Sequence, residues 1–352
     1  MRKPRTLSIT LGLLVVFSAA LLAGESSPPT SPAPDGNVPA LDPALYHHVA
    51  EVVWVVADIN RVTDYWQRLG VHDIHSDGEI EFPNLTYRGK PDPARARQVT
   101  AYIDKLTVKW IQPIHGGRFW RDSLRHRGDG IRVLAYSVQP QEFDDQIRYF
   151  SSKGVGVIVQ DSWQGPSGRG RIAYLDTAAQ GGGNTLGLID DPDARSRAAD
   201  TGSNEYPVTK ITHFAWVVNE VRKVDAYYTS LGFKPFSNID HNISLDRVYR
   251  GRPGTFEMWL GWDRTGDAPF EWVQQITGPD VYVEYAKKHR QGFHHVGVNV
   301  TDMDEAIKLM TARGAPPSQM AAWETSRGKG RAVYLDTDPH GGVTLELIYD
   351  PH

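Results

Sequence analysis

The chain has 352 residues, 40% of them hydrophobic, which is enough to build two ordinary domains. Its formal net charge of −4 is spread without long runs, so it lacks the clustered basic face that neutralises phosphates, and a nucleic-acid partner is excluded. There is no cysteine, which rules out disulfides, thiolate chemistry and a lipid-modified cysteine at the N-terminus.

In chain order, the first stretch is "MRKPRTLSITLGLLVVFSAALLAGESS": a basic start, an apolar run, then small residues. That order predicts a signal peptide over 1–24 and an exported protein, periplasmic or secreted. Ser and Thr interrupt the apolar run, which is short for a bilayer crossing, so cleavage is favoured over a membrane anchor and no stable membrane association is expected afterwards. Residues 25–44, rich in Pro and Ser, read as an extended linker.

From residue 45 the sequence repeats. "VVWVVADINRVTDYWQRLGV" at 52–71 matches "FAWVVNEVRKVDAYYTSLGF" at 214–233, and one offset of 162 relates Trp54 to Trp216, Tyr87 to Tyr249 and Gln112 to Gln274. "YLDT" recurs with its tyrosine at 174 and 334. Two copies are therefore expected, over 45–192 and 208–352, joined by a polar linker at 193–207. Within each copy a shorter unit repeats: "HFAWVVNEVRKVDAYY" and "HVGVNVTDMDEAIKLM" both run from apolar alternation to apolar spacing of three and four, with an acidic residue seven places after the histidine. A strand feeds a helix, and short strand candidates follow. The predicted fold class is α+β, built from four βαβββ modules whose sheets pair around cavities.

Strand alternation assigns faces. In "HVGVNV", Val296, Val298 and Val300 belong under the helix, so His295 faces the cavity. In "TLELIY", Leu345 and Leu347 belong under the helix, and Glu346 and Ile348 face the cavity. His213 and Glu271 face it by the same argument, whereas His294, beside His295, should face the helix side and be structural. A single inward His or Glu is ordinarily a hydrogen-bonded core residue. Four at repeat-equivalent positions are different, because two buried carboxylates in one small cavity cost several kcal/mol unless a cation joins them. His213, Glu271, His295 and Glu346 are thus the candidate ligands of one divalent ion, with Zn, Mn, Fe, Co or Ni all suited. The equivalents in the first copy, Glu51, Lys109, Val133 and Gly187, retain no such set. "GPSGRGR" and "SRGKGR" read as solvated basic hairpins.

"GFHHVGVNVTDMDEAI", "YLDTDPHGGVTLELI" and "ITHFAWVVNEVRKVDAYYTSLGF" resemble the vicinal oxygen chelate (VOC) superfamily, and most closely its glyoxalase and methylmalonyl-CoA epimerase branch. The resemblance covers nearly all of 46–351. It implies two VOC open-barrel, glyoxalase-like domains, the first degenerate and without a metal, the second holding one divalent metal on His213, Glu271, His295 and Glu346. It also implies Lewis-acid chelation of two neighbouring oxygens of a small-molecule substrate and proton transfer by Glu346 or Glu271. The expected reaction is that of an isomerase, epimerase or lyase. The alternative enzyme class is an extradiol-type Fe(II) ring-cleaving dioxygenase using His213, His295 and Glu346, although "AAWETSRGKGRAVY" offers no histidine as its acid–base. A non-catalytic small-molecule-binding protein is the third class, and homo-oligomerisation is left open.

Overall fold

A computed structural model describes residues 39–194 and 203–351. The expected signal peptide, most of the Pro/Ser-rich linker and the middle of the second linker lie outside the described residues. Residues 204–206 are described and are not simply solvated. Asn204 accepts from the backbone N–H of His72 at 2.8 Å, and Arg313 donates to the carbonyls of Leu69 and Tyr206 at 2.9 and 3.0 Å.

The strand–helix turns form as the repeat predicts. The acidic residue seven places after the module start is the helix N-cap: Asp58 accepts from the Arg61 N–H before helix Ile59–Leu69, and Asp302 accepts from the N–H groups of Asp304 and Glu305 before helix Met303–Ala312. Each helix buries one stripe, as with Ile59, Val62, Trp66 and Leu69.

The strands form two ten-stranded sheets with identical order, each curled into an open half-barrel, so the fold is α+β. In both sheets the opening strands of the two modules lie side by side and antiparallel: Glu51–Val55 beside Gly130–Ser137, and His213–Val217 beside Gly292–Asn299. Four strands per module make eight. A short ribbon supplies the other two, Thr86–Tyr87 with Lys90–Pro91 and Leu245–Tyr249 with Arg252–Pro253, and it pairs onto the far edge of the sister module. Two helices are additional to the repeat unit, Arg118–Arg127 and Val281–His289, and they place Trp120, and Tyr282 with Tyr285, on the concave side of their sheets.

The helix-side residues of both halves merge into one core, including Trp54, Leu134, Trp216, Val298 and Leu347. Trp54 Nε1 donates across the halves to the Gly341 carbonyl at 2.6 Å, and Tyr65 stacks on His340. The concave faces instead carry separate apolar clusters, one per half. The two basic loops are hairpin turns, with Gly168 and Gly328 at φ 140° and 134°.

Candidate metal centre

His213, Glu271, His295 and Glu346 come from four adjacent strands at the middle of the second sheet, in the order Phe270–Thr277, His213–Val217, Gly292–Asn299, Thr344–Tyr349. Registered residues share a face, and two cross-strand rows result. One row reads Glu271, Ala215, His295; the other reads His213, Gly297, Glu346. In each row the ligand-type residues flank a small residue. The small residue is required in the second row, because a Cβ on Gly297 would overlap the His213 ring. Pairing between the strands of Glu271 and His213 runs from Phe270 to Val273 without a bulge, which fixes Glu271 on the cavity face.

The quartet's ligand atoms all lie within 4.8 Å of one another. His213 Nε2 is 2.9 Å from Glu346 Oε2, His295 Nε2 is 3.1 Å from Glu271 Oε2 and 3.2 Å from Glu346 Oε2, and the two Nε2 atoms are 3.1 Å apart. None of the four residues is more than 4% exposed. Burial would lower the pKa of His295, but Glu346 and Glu271 override it and raise it to about 9. Burial would raise that of Glu346, but His295 and His213 hold it well below the usual carboxylate range. Two imidazole nitrogens and two carboxylate oxygens gathered out of water suit a divalent cation: the carboxylates carry the compensating charge, and neutral imidazole is a common ligand.

His294 departs from expectation. Pairing with the neighbouring strand shifts register between Ala215 and Trp216, so that Ala215 faces His295 while Trp216 faces Phe293. His294 is the extra residue of a β-bulge and does not turn to the helix side. Its ring packs against Tyr282, Tyr285 and Tyr334 of the concave side, and its Nδ1 lies 2.7 Å from His295 Nδ1. Burial first, and His295 second, push its pKa well below the ordinary value, so it is neutral and can accept the Nδ1 proton of His295. That contact fixes which nitrogen of His295 faces the quartet. Tyr282 and Tyr334 are bonded at 2.8 Å beneath it.

The quartet opens to a cavity of about 310 Å³ with Phe256, Met258, Trp323 and Ile348 on its walls. Arg264, stacked 4.4 Å over Trp262, is the basic residue other than His213 on that wall. Neither Arg264 nor Tyr282 was singled out by motif, since each comes from a segment with no repeated histidine or carboxylate.

The first-half equivalents occupy the same rows: Lys109, Val53, Val133 and Glu51, Ala135, Gly187. Lys109 Nζ is bonded to Glu51 Oε2 at 2.7 Å. A Cβ on Gly187 would lie 2.8 Å from Val133 Cγ1 and 2.9 Å from Ala135 Cβ, so no carboxylate side chain fits there. Among the described residues, the second-half quartet is the one grouping of three or more such side chains able to hold a metal.

Residues 212–334 match the family model described as Glyoxalase/Bleomycin resistance protein/Dioxygenase superfamily. Over that span the chain is similar to the vicinal oxygen chelate superfamily. No functionally curated protein matches the chain. A variant of 4-hydroxymandelate synthase from Streptomyces coelicolor is similar over 86% of this chain and 92% of that one, at 15% identity and a TM-score of 0.57. A xylose isomerase-like TIM barrel/4-hydroxyphenylpyruvate dioxygenase fusion protein is similar over 87% of this chain and 49% of that one, at 12% identity and a TM-score of 0.51. At these identities the likeness is one of fold, and it covers both halves.

Proposed function

We propose that this protein is an exported divalent-metal enzyme that moves a proton on a small substrate chelated through two adjacent oxygens, as an isomerase, epimerase or lyase does. The observation that carries the reading is the presence of Glu271 in the quartet, 3.1 Å from His295. With His213, His295 and Glu346 it makes four protein ligands, one more than the three that oxygen-activating iron sites use. When bound, the metal supplies Lewis acidity toward the substrate's oxygens.

The chain's own residues supply the rest. Glu346 contacts both histidines and stays ionised between them, so its role is to hold charge. Glu271 contacts one histidine and is the freer carboxylate to take and return a proton, so it is the base in this reading. Arg264 is placed to pair with a carboxylate on the substrate, and His294 orients His295. A cavity of about 310 Å³ suits a small 2-oxo or 2-hydroxy acid.

A second reading, oxygen-dependent chemistry on Fe(II), is favoured by the same contacts counted differently. His213, His295 and Glu346 all touch one another, while Glu271 touches His295 alone. Two measurements separate the readings. Anaerobic incubation with 2-hydroxycarbonyl compounds in deuterated buffer should wash deuterium into the carbon beside the carbonyl, and an oxygen electrode should record no uptake with catechols or 2-oxo acids and Fe(II). Oxygen uptake without deuterium exchange would overturn the proton-transfer reading. Glu271→Gln should retain metal because an amide oxygen still coordinates, with activity altered, whereas Glu271→Ala should release it. Unchanged metal and full activity in Glu271→Ala would remove Glu271 from the site.

A further inference from the structure

The first half keeps a cavity after losing its ligand set, and the cavity is larger: about 530 Å³ against about 310 Å³ in the second half. Its chemistry has changed as well. Asp161 lies on the concave wall, opposite Ile172 in strand pairing, where the second half has Ala321 opposite Ala332. Asp161 is 7% exposed, and its Oδ1 is buried with no hydrogen-bond partner among the described residues. A buried carboxylate oxygen without a donor is costly, and native proteins ordinarily satisfy such atoms.

The cations on this wall already have partners, and Glu51, the partner of Lys109, lines the same cavity. Lys109 is bonded to Glu51, and His75 is 2.6 Å from Asp73. Asp77 and Asp191 add further negative charge, and among the described residues neither is paired with a basic side chain: Asp77 accepts from Gln98 and Thr100, Asp191 from the Asp193 N–H. Around them stand aromatic rings. Trp120 packs edge-on against Phe82, Tyr174 packs against Phe119, and Trp163 lies across Gly170, which leaves its ring as wall surface. An acidic cavity walled by aromatic faces attracts organic cations, through the ring quadrupoles and through the carboxylate.

We propose that the first-half cavity binds a small organic cation, an amine or a quaternary ammonium, with Asp161 as its counter-ion and Trp120, Trp163 and Tyr174 as its aromatic wall. This site is separate from the second-half quartet and does not depend on the reaction assigned to it. Burial raises the Asp161 pKa to about 6, with the Ser162 N–H as its one compensating donor, which is the behaviour of a carboxylate waiting for a positive partner.

Isothermal titration calorimetry on the full chain tests this with choline, benzylamine and dimethylbutanol, the neutral carbon isostere of choline. At least one of the two cations should bind saturably at one site per chain, while the neutral isostere should not; the tighter cation distinguishes a quaternary from a primary ammonium site. Asp161→Asn and Asp161→Ala, the latter installing the second half's residue at that place, should weaken cation binding by about tenfold or more. His295→Ala should leave it unchanged. Absence of saturable binding by both cations, equal binding of the isostere, unchanged affinity in both Asp161 variants, or loss of binding in His295→Ala would each overturn the assignment.

Discussion

The two halves share one backbone and differ on one face. In the second, the central rows of the sheet read Glu271, Ala215, His295 and His213, Gly297, Glu346; in the first they read Lys109, Val53, Val133 and Glu51, Ala135, Gly187. The helix-side residues between these positions remain large and apolar in both, and they meet in a common core. Helix-side packing carries the stability, so the concave face can change without loss of the fold. Where the second half gathers two carboxylates and two imidazoles, the first neutralises one carboxylate internally with Lys109 and carries Val133 and Ala135 at neighbouring row positions. A side-chain ammonium stands where the second half has a cluster suited to a cation, and the centre is an ion pair.

The largest expected effects fall on the second half's ligand rows. His295→Ala should lower metal affinity by more than the ~10–100-fold typical of losing an outer partner, read by calorimetry or by metal content after dialysis. Gly297→Ala should lower it by about as much as His294→Ala, some ~10–100-fold, with unchanged circular dichroism, because the added methyl displaces the His213 ring but not the strand. Full metal affinity in Gly297→Ala would show that the row's small centre is not what admits His213.

The comparison can also be run in reverse. Installing Glu51→His, Lys109→Glu, Val133→His and Gly187→Glu together should yield no metal binding, since Val53 and Ala135 still fill the row centres. Adding Val53→Ala and Ala135→Gly should then create it. Metal binding by the fourfold variant alone would contradict the steric account.

An effect on stability rather than on metal affinity is expected at the first half's pair. Lys109→Met should cost about 3 kcal/mol in urea unfolding, because Glu51 is left buried without its cation, and adding Glu51→Gln should recover most of that loss.

At the second half's ligand rows the effect of pH is graded, and it is the smallest per unit of change. In the metal-free protein His295 is raised to about 9 from an ordinary 6.5. Its contribution to stability is therefore complete below about pH 6.5 and lost as pH rises through about 9. Glu346 has the opposite sign: held below 4.5, it contributes above that pH and loses its contribution as pH falls through its folded value. Because a metal must displace the His295 proton, affinity should climb by up to about tenfold per pH unit as pH rises toward about 9 and then level off. Proton release measured in buffers of different ionisation enthalpy checks this, and a flat profile would mean that His295 is not the protonated member.

Much of this was legible in the sequence, because repetition and period survive translation into strands and helices. The offset of 162 located matching strands, the acidic N-caps marked where helices begin, and alternation put His213, Glu271, His295 and Glu346 on one face. Alternation failed at His294, where a bulge turns two consecutive histidines to the same side, and pattern reading assumes a regular pleat.

What the sequence determined by itself was local and periodic: which residues form each module, which face side chains take along a regular strand, and which of the two copies carries a ligand set. Only the tertiary structure decided what depends on distances between distant strands. It brought the quartet's atoms within 4.8 Å, assigned Gly297 to the His213 ring and Val133 with Ala135 to the space above Gly187, paired Lys109 with Glu51, and left Asp161 Oδ1 unpartnered among the described residues. Each of these is a relation across the curl of a sheet. A sequence encodes such relations only through the packing of all its other residues, so no stretch of it displays them.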